Sequence, residues 1–426
     1  MKVLVIGGGG REHAVCSKLK ESPLVTQLLC APGNAGIAQI ARCVPEVKAT
    51  DVQAIVELAR KEQVDFVCVT PDDPLALGCV DALEAAGIPA FGPDARAAQM
   101  EASKIFSKNL MKKYGIPTAK SEIFDEMEAA LAYLDTQQAP IVVKADGLAL
   151  GKGVTVASTI EEARRAVVDM MQGGRFGKSG ARVLIEECMV GREVTVLCFC
   201  DGKTLVPMPA SQDHKRAYDG DRGPNTGGMG AFAPSPLYTP QLAARTEREI
   251  LLPTLRAMQA EGLVFKGVLY VGLMLTDEGP KVVEYNARFG DPETQAVLPL
   301  LKSDLMEILI AVREQRLGRM QIRWSDQAAA CVVLASGGYP GPYESGRAIT
   351  GLEEAQAAGA VVYHAGTKRG PDGFVTAGGR VLGVTALGGT LSEAVRRAYE
   401  AAGKIHFEGM HMRSDIGSRD LERTPS

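Results

Sequence analysis

Ile141-Val142-Val143-Lys144-Ala145-Asp146-Gly147-Leu148-Ala149-Leu150-Gly151-Lys152-Gly153-Val154 is a short apolar strand that ends on a lysine and runs into a loop punctuated by three glycines. The loop is not a Walker A motif, because no G-x-x-x-x-G-K followed by a hydroxyl residue is present. A strand lysine with a glycine flap behind it can still hold a triphosphate. The lysine then acts as a point charge and the flap as a lid that excludes water. A plain β-hairpin is the competing reading of the same residues. Outward toward the C-terminus, further strands are expected at Val154–Ala157, Val183–Glu187, Val194–Cys200, Leu205–Ala210, Val268–Leu275 and Lys281–Tyr285. Strands bunched in this way predict an α+β unit with antiparallel sheets.

Outward toward the N-terminus the pattern changes. Strands at Val3–Ile6, Leu28–Cys30 and Phe66–Thr70 alternate with helical stretches at Arg11–Lys20, Val52–Gln63 and Leu75–Ala86, which predicts a parallel sheet with crossover helices. A long helix is expected over Asp94–Tyr114, stopped by Gly115-Ile116-Pro117. Beyond helical stretches at Thr294–Leu300 and Leu305–Leu317, a last apolar strand at Ala328–Ser336 opens a strand-and-turn region, and the polar run Ser418–Ser426 reads as a frayed end. At roughly 100–200 residues per domain, 426 residues divide into units over 1–103, 104–325 and 326–426.

The composition excludes several classes. With 47 Lys and Arg against 51 Asp and Glu, the net charge of -4 does not suit a nucleic acid binder. No apolar run reaches the roughly 18 residues of a membrane span, and the start has no secretory leader pattern, so a cytoplasmic location is expected. Nine cysteines without a C-x-x-C pair read as buried thiols, with Cys198 and Cys200 on one face of a strand. The 47 glycines exceed the usual share of about 7%.

Two glycine turns carry chemistry. Gly7–Gly10 lies between a strand and a helix, where backbone amides and the helix dipole favour an anion. It fails the dinucleotide pattern, because Glu12 or His13 occupies the place of the last glycine. A phosphosugar site is favoured over a tight turn. Pro32-Gly33-Asn34-Ala35-Gly36 follows the second strand, where ligands of open parallel sheets bind. Further on, Glu284 and Asn286 share a strand face and offer hard oxygens suited to Mg²⁺, and Arg288 has the planar fork for a carboxylate or phosphate. The connector Glu187–Glu193 is either an adenine-reading segment, with Glu193 accepting ribose hydroxyls, or a solvated strand end. The long loop 212–231, dense in charge and glycine, reads as functional, with His214 as easily structural as a base.

The blocks GGGGREHA, PGNAG, KADGLALGKGV, QDHKRAYDGDRGPNTGGMGA, EYNARFGDPETQ, GGYPG, DGFVTAGGRVLGV and FEGMHMRSDIG resemble, end to end, the phosphoribosylamine-glycine ligases of the ATP-grasp superfamily. The resemblance implies an α/β plus α+β architecture: an N-terminal parallel-sheet pre-ATP-grasp domain, a two-lobed ATP-grasp core and a small β-rich C-terminal domain. It implies that glycine and phosphoribosylamine are joined with ATP and Mg²⁺ or Mn²⁺, by a monomer or weak homodimer. Carried over by position, Lys104, Lys144, Gly147, Gly151, Lys152, Gly153, Glu186, Glu187, Met189 and Glu193 surround ATP. Glu284 and Asn286 hold the metal, and Arg288, Asp213 and Lys215 serve catalysis. Gly9, Gly10, Asn34, Gly36, Asp72, Asn225, Gly228 and Gly290 bind the substrates. Asp72 stands where the family more often has glutamate, and the strand Leu269–Leu275 carries no acid.

Overall fold

The computed structural model describes residues 1–148, 153–172 and 181–421. The first strand, Lys2–Gly7, lies at the centre of a five-stranded parallel sheet, with Gln27–Pro32 and Arg42–Cys43 on one side and Phe66–Val69 and Ala90–Phe91 on the other. Its side chains Val3–Ile6 are fully buried, as expected where helices cover both faces. The strand order reverses between this strand and Phe66–Val69, so the carboxyl ends of Lys2–Gly7 and Phe66–Val69 open a crevice.

The single helix expected over Asp94–Tyr114 is broken. Helices Gln99–Ala102 and Lys104–Tyr114 flank Ser103, which is extended at φ -131°. Asp146 accounts for the break. Its Oδ1 accepts from Ser103 Oγ at 2.9 Å and from the Ile105 amide at 3.2 Å, capping the second helix from outside.

Two antiparallel sheets face each other across the middle of the chain. One orders Ser121–Phe124, Val183–Glu187, Ile141–Ala145 and Val154–Ala157, covered by helices Met127–Leu134 and Ile160–Met171. The other orders Leu205–Pro207, Arg192–Asp201, Lys266–Thr276 and Gly279–Asn286. Cys198 and Cys200 are both buried free thiols on one face of the second sheet.

The loop over 212–231 is not structureless. It contains the strands Gln212–Asp213 and Gly230–Ala233 and the two-stranded hairpin Arg216–Tyr218 with Arg222–Asn225. Gln212–Asp213 and Gly230–Ala233 join the sheet built on Ala328–Ser336, Arg380–Gly388 and Val361–His364. The end of the chain is not frayed as far as Leu421: Ser418–Leu421 is helical and Asp420 is buried. Among the described residues no helix is long and apolar enough to cross a membrane.

Candidate functional site

Strand Gly279–Asn286 presents Glu284 and Asn286 on one face, while Tyr285 turns into the core and shares its hydroxyl with Thr254. The ladder to Lys266–Thr276 slips by one residue here, from Gly272 opposite Glu284 to Leu273 opposite Val282. The slip leaves Val283 as a bulge, and its carbonyl accepts from Lys144 Nζ at 3.3 Å. The two facing sheets therefore touch through a lysine at the start of the proposed flap.

That lysine is held from behind. Glu186 Oε2 lies 2.7 Å from Lys144 Nζ and Oε1 lies 2.7 Å from Lys108 Nζ, with the three side chains 2–8% exposed. Burial works to raise the Glu186 carboxyl, but Lys144 and Lys108 outweigh it and hold it below the ordinary range. Lys104, one helical turn from Lys108, donates to the Gly147 carbonyl at 2.7 Å, and burial lowers its pKa. Glu187 accepts from the Lys120 amide at 3.0 Å, and Met189 is half-buried beside exposed Val190. Gly147 adopts φ +120°, and Gly153 accepts from the Ala145 amide at 2.8 Å. Gly151 and Lys152 lie outside the described residues.

On the other side of Glu284 the balance of charge reverses. Lys215 Nζ stands 3.1 Å from Glu193 and 3.7 Å from Glu284. Burial works to lower its ammonium, yet Glu193, Asp213 and Glu284 hold its pKa well above the ordinary value. Burial also pushes the Asp213 carboxyl up to about 7; Lys215 opposes this, while Glu293, Glu193 and Glu284 add to it. Glu293 is 3% exposed at the start of helix Glu293–Val297 and packs on Gly290. Tyr270, on the neighbouring strand Lys266–Thr276, is buried and feels Glu293 and Lys215.

Arg288 links this pocket to the N-terminal sheet. One guanidinium nitrogen lies 2.9 Å from Glu101, whose other oxygen accepts from the Ala287 amide at 2.8 Å. Burial would lower the Arg288 pKa, but Glu101 and Asp72 raise it, and its Nε is buried with no hydrogen-bond partner among the described residues. Asp72 is held below the usual carboxylate range by Arg288 and Arg11, against the effect of burial.

The glycine turns meet around Asn34. Its amide donates to the Gly8 carbonyl at 2.9 Å and the His364 carbonyl at 2.7 Å, and its oxygen accepts from the amides of Gly36 and Ile37. All of its hydrogen-bonding capacity is thus used inside the protein, and its side chain acts as a staple. A Cβ on Gly8 would lie 2.5 Å from the Gly33 carbonyl oxygen, and one on Gly36 2.2 Å from the His364 ring, so only glycine allows these approaches. The Gly9 amide donates to Glu12 at 2.7 Å, and Gly10 faces Gln295. Arg380, from the C-terminal sheet, donates to the carbonyls of Gly227 at 2.8 Å and Asp291 at 2.9 Å and pairs with the Asp291 carboxylate at 3.2 Å. It pins the turn that holds Gly228, whose φ is +114°, and Asn225 pairs with Arg216 in the neighbouring hairpin.

Sequence reasoning missed Lys108, Glu101, Arg11, Glu293 and Arg380. Lys108 was accessible as the i+4 partner of Lys104 on a helix face. Arg11, Glu293 and Arg380 lie inside quoted blocks. Glu101 carries no local signal. Among the described residues, no group of three or more His, Cys, Asp or Glu side chains could hold a metal ion. Glu284 and Asn286 are two hard oxygen donors on one edge, a set that fits a Mg²⁺ drawing most of its shell from phosphate and water.

Comparison with known proteins agrees along the whole chain. The N domain, ATP-grasp (A) domain and C domain described as phosphoribosylglycinamide synthetase match residues 1–101, 102–294 and 329–419. A phosphoribosylamine–glycine ligase of a Nostoc species is 50% identical over 423 residues, 98% of this chain and 99% of that protein. One of Escherichia coli is 50% identical over 426 residues, 99% of each. The crystal structure of the Thermotoga maritima phosphoribosylamine–glycine ligase superposes with a TM-score of 0.86 at 33% identity, covering 98% of this chain and all of that one. A biotin carboxylase domain from Hydrogenobacter thermophilus, solved with ADP and magnesium, shares the fold at a TM-score of 0.74 and 17% identity, over 96% and 91% of the two chains. With three successive units matched in order and relatives of half-identical sequence over full length, the chain belongs to the phosphoribosylglycinamide synthetase family.

Proposed function

We propose that the protein joins glycine to 5-phosphoribosylamine at the expense of ATP, through glycyl phosphate, giving glycinamide ribonucleotide, ADP and phosphate. The observation that carries this reading is the surroundings of Glu284. Burial would raise its carboxyl, but Lys215, Lys144, Lys104 and Arg288 together hold it below the ordinary range. A nucleotide side rich in lysine and a pocket rich in carboxylate thus meet at one side chain.

Lys104, Lys144 and the segment Gly147–Gly153 suit the triphosphate, with Glu186 holding Lys144 in place. Glu187, Met189 and Glu193 suit the nucleoside. Glu284 and Asn286 would hold Mg²⁺, which when bound neutralises phosphate oxygens. In the pocket, Asp213, Glu293, Glu193 and Glu284 outnumber Lys215, an excess of negative charge that suits the glycine ammonium. The Arg288 Nε donor suits the glycine carboxylate, whose oxygen attacks the γ-phosphorus while ADP leaves. The amine of phosphoribosylamine then attacks the acyl carbon and displaces phosphate. The turns at Gly9, Gly10 and Gly36, with Asp72, suit the phosphosugar, while Asn34 shapes them through its staple. Asn225, Gly228 and Gly290 line the join. The protein's work is positioning and charge neutralisation. An assay that generates the labile amine in place should show ADP release only when glycine and the amine are both present; release without either would sink the proposal.

A further inference from the structure

Residues 410–421 run along the outside of the hairpin that follows Asp213 and Lys215, and they bind it almost residue by residue. His411 Nε2 lies 2.7 Å from the Ala217 carbonyl oxygen. Arg413, only 1% exposed, donates to the Arg216 carbonyl at 3.1 Å and to Asp221 at 2.9 Å, while its fork is held by both oxygens of Asp415 at 2.7 and 2.8 Å. Asp415 also accepts from the Gly220 amide at 2.9 Å, and Asp219 accepts from the amide and hydroxyl of Ser414. At the far end, buried Asp420 accepts two bonds from Arg192, at 2.9 and 3.0 Å, and one from Gln212 at 3.3 Å. Arg192 and Gln212 are the chain neighbours of Glu193 and Asp213.

An isolated two-stranded hairpin is marginal in water. This one is exposed at Arg222, Gly223 and Pro224, and Ala217 is its one buried apolar side chain. Its shape comes from a buried guanidinium shared among carboxylates, with geometry a lysine cannot reproduce. Strap and hairpin are in turn anchored to helix Leu391–Ala402, where Tyr399 donates to the Arg413 carbonyl at 2.8 Å and accepts from the Ile416 amide at 3.0 Å. None of these contacts reaches Lys104, Lys144 or Glu186.

We propose that Arg413 and Asp420 are positioning residues, through which the C-terminal strap sets Asp213 and Lys215 around glycine while leaving Lys104, Lys144 and Glu186 untouched. The proposal rests on the ligase reading for its kinetic arm and on structure alone for its exchange arm. In the full chain, Arg413→Lys and Asp420→Asn are compared with wild type by amide hydrogen exchange and by steady-state ADP release. The expected result is faster exchange over 212–230 with none over Val183–Glu187, together with a fall of roughly tenfold or more in kcat/KM for glycine at an unchanged KM for ATP. Unchanged exchange at 212–230 in both variants overturns the strap. Faster exchange with unchanged glycine kinetics, or an equal rise in the KM for ATP, overturns the positioning role. A wild-type protein that releases no ADP with glycine and the amine refutes the ligase reading instead, and the exchange data still decide whether the strap orders the hairpin.

Discussion

Two clusters of charge lie on either side of Glu284 and behave differently. Lys108, Glu186 and Lys144 are almost fully buried, at 2.7 Å contacts, with every charge facing a partner. Lys215, Glu193 and Glu284 are a third to a half exposed, at 3.1 and 3.7 Å, and leave an excess of carboxylate. The first sets two ammoniums on one carboxylate and holds Lys144 rigidly in place. In the proposed reaction the second would exchange its internal partners for a metal and an ammonium. Deep burial at short contacts marks scaffold, and partial exposure at longer ones marks the side open to exchange.

Removing the central acid should break the first cluster most severely. Glu186→Gln leaves two buried ammoniums uncompensated, and a loss of about 3–5 kcal/mol of stability is expected in urea unfolding. A loss below 1 kcal/mol would show that the triad is solvated. In the second cluster Glu284→Ala should leave the unfolding free energy from urea titration within about 1 kcal/mol of wild type, because its ion pair with Lys215 is partly exposed. Its kcat should fall by roughly 10²–10³, the cost of losing one preorganised charge contact. Near-normal turnover would remove Glu284 from the metal site.

The raised Asp213 carboxyl gives the pH test. If its charged form holds the glycine ammonium, kcat/KM for glycine should rise as pH increases through about 7, and Asp213→Asn should flatten that limb. The stability effect has the opposite sign. The folded pKa lies above the unfolded value of about 3.9, so the folded state holds the proton longer, and the Asp213 contribution to stability falls as pH rises from about 4 to about 7. Asp213→Asn should therefore stabilise the fold more at pH 8 than at pH 4, and equal effects at both would mean that the carboxyl is not raised. The smallest effect is expected at Glu193→Gln, where an exposed pair with Lys215 contributes at most about 1 kcal/mol to stability. Any larger change would place Glu193 with the scaffold.

Local periodicity made the strands legible: Ile141–Ala145, Val183–Glu187 and Ala328–Ser336 form over the residues that their apolar runs mark out. The helix over 94–114 was misread because Ser103 looks helical until Asp146, some forty positions later, offers its carboxylate. The face shared by Glu284 and Asn286 follows from strand alternation, whereas the pairing of Arg288 with Glu101 depends on how two distant segments dock. Asn34 illustrates the limit of motif reading. A residue inside a ligand loop can be required for its bonds to the loop itself rather than to the ligand.

The sheet that carries Asp213 also has a bearing on the order in which the protein is made. Gln212–Asp213 is an edge strand laid on Gly230–Ala233, which pairs with Ala328–Ser336. During synthesis the carboxylate pocket must therefore wait for more than a hundred further residues, about 6–25 s at ribosomal speed, with its strand edges unpaired. The N-terminal sheet, whose five strands are all made before residue 92, needs no such delay. A nascent chain can thus own the N-terminal sheet long before it owns the carboxylate pocket, while the turn at Asn34–Gly36 is closed only once His364 has been made.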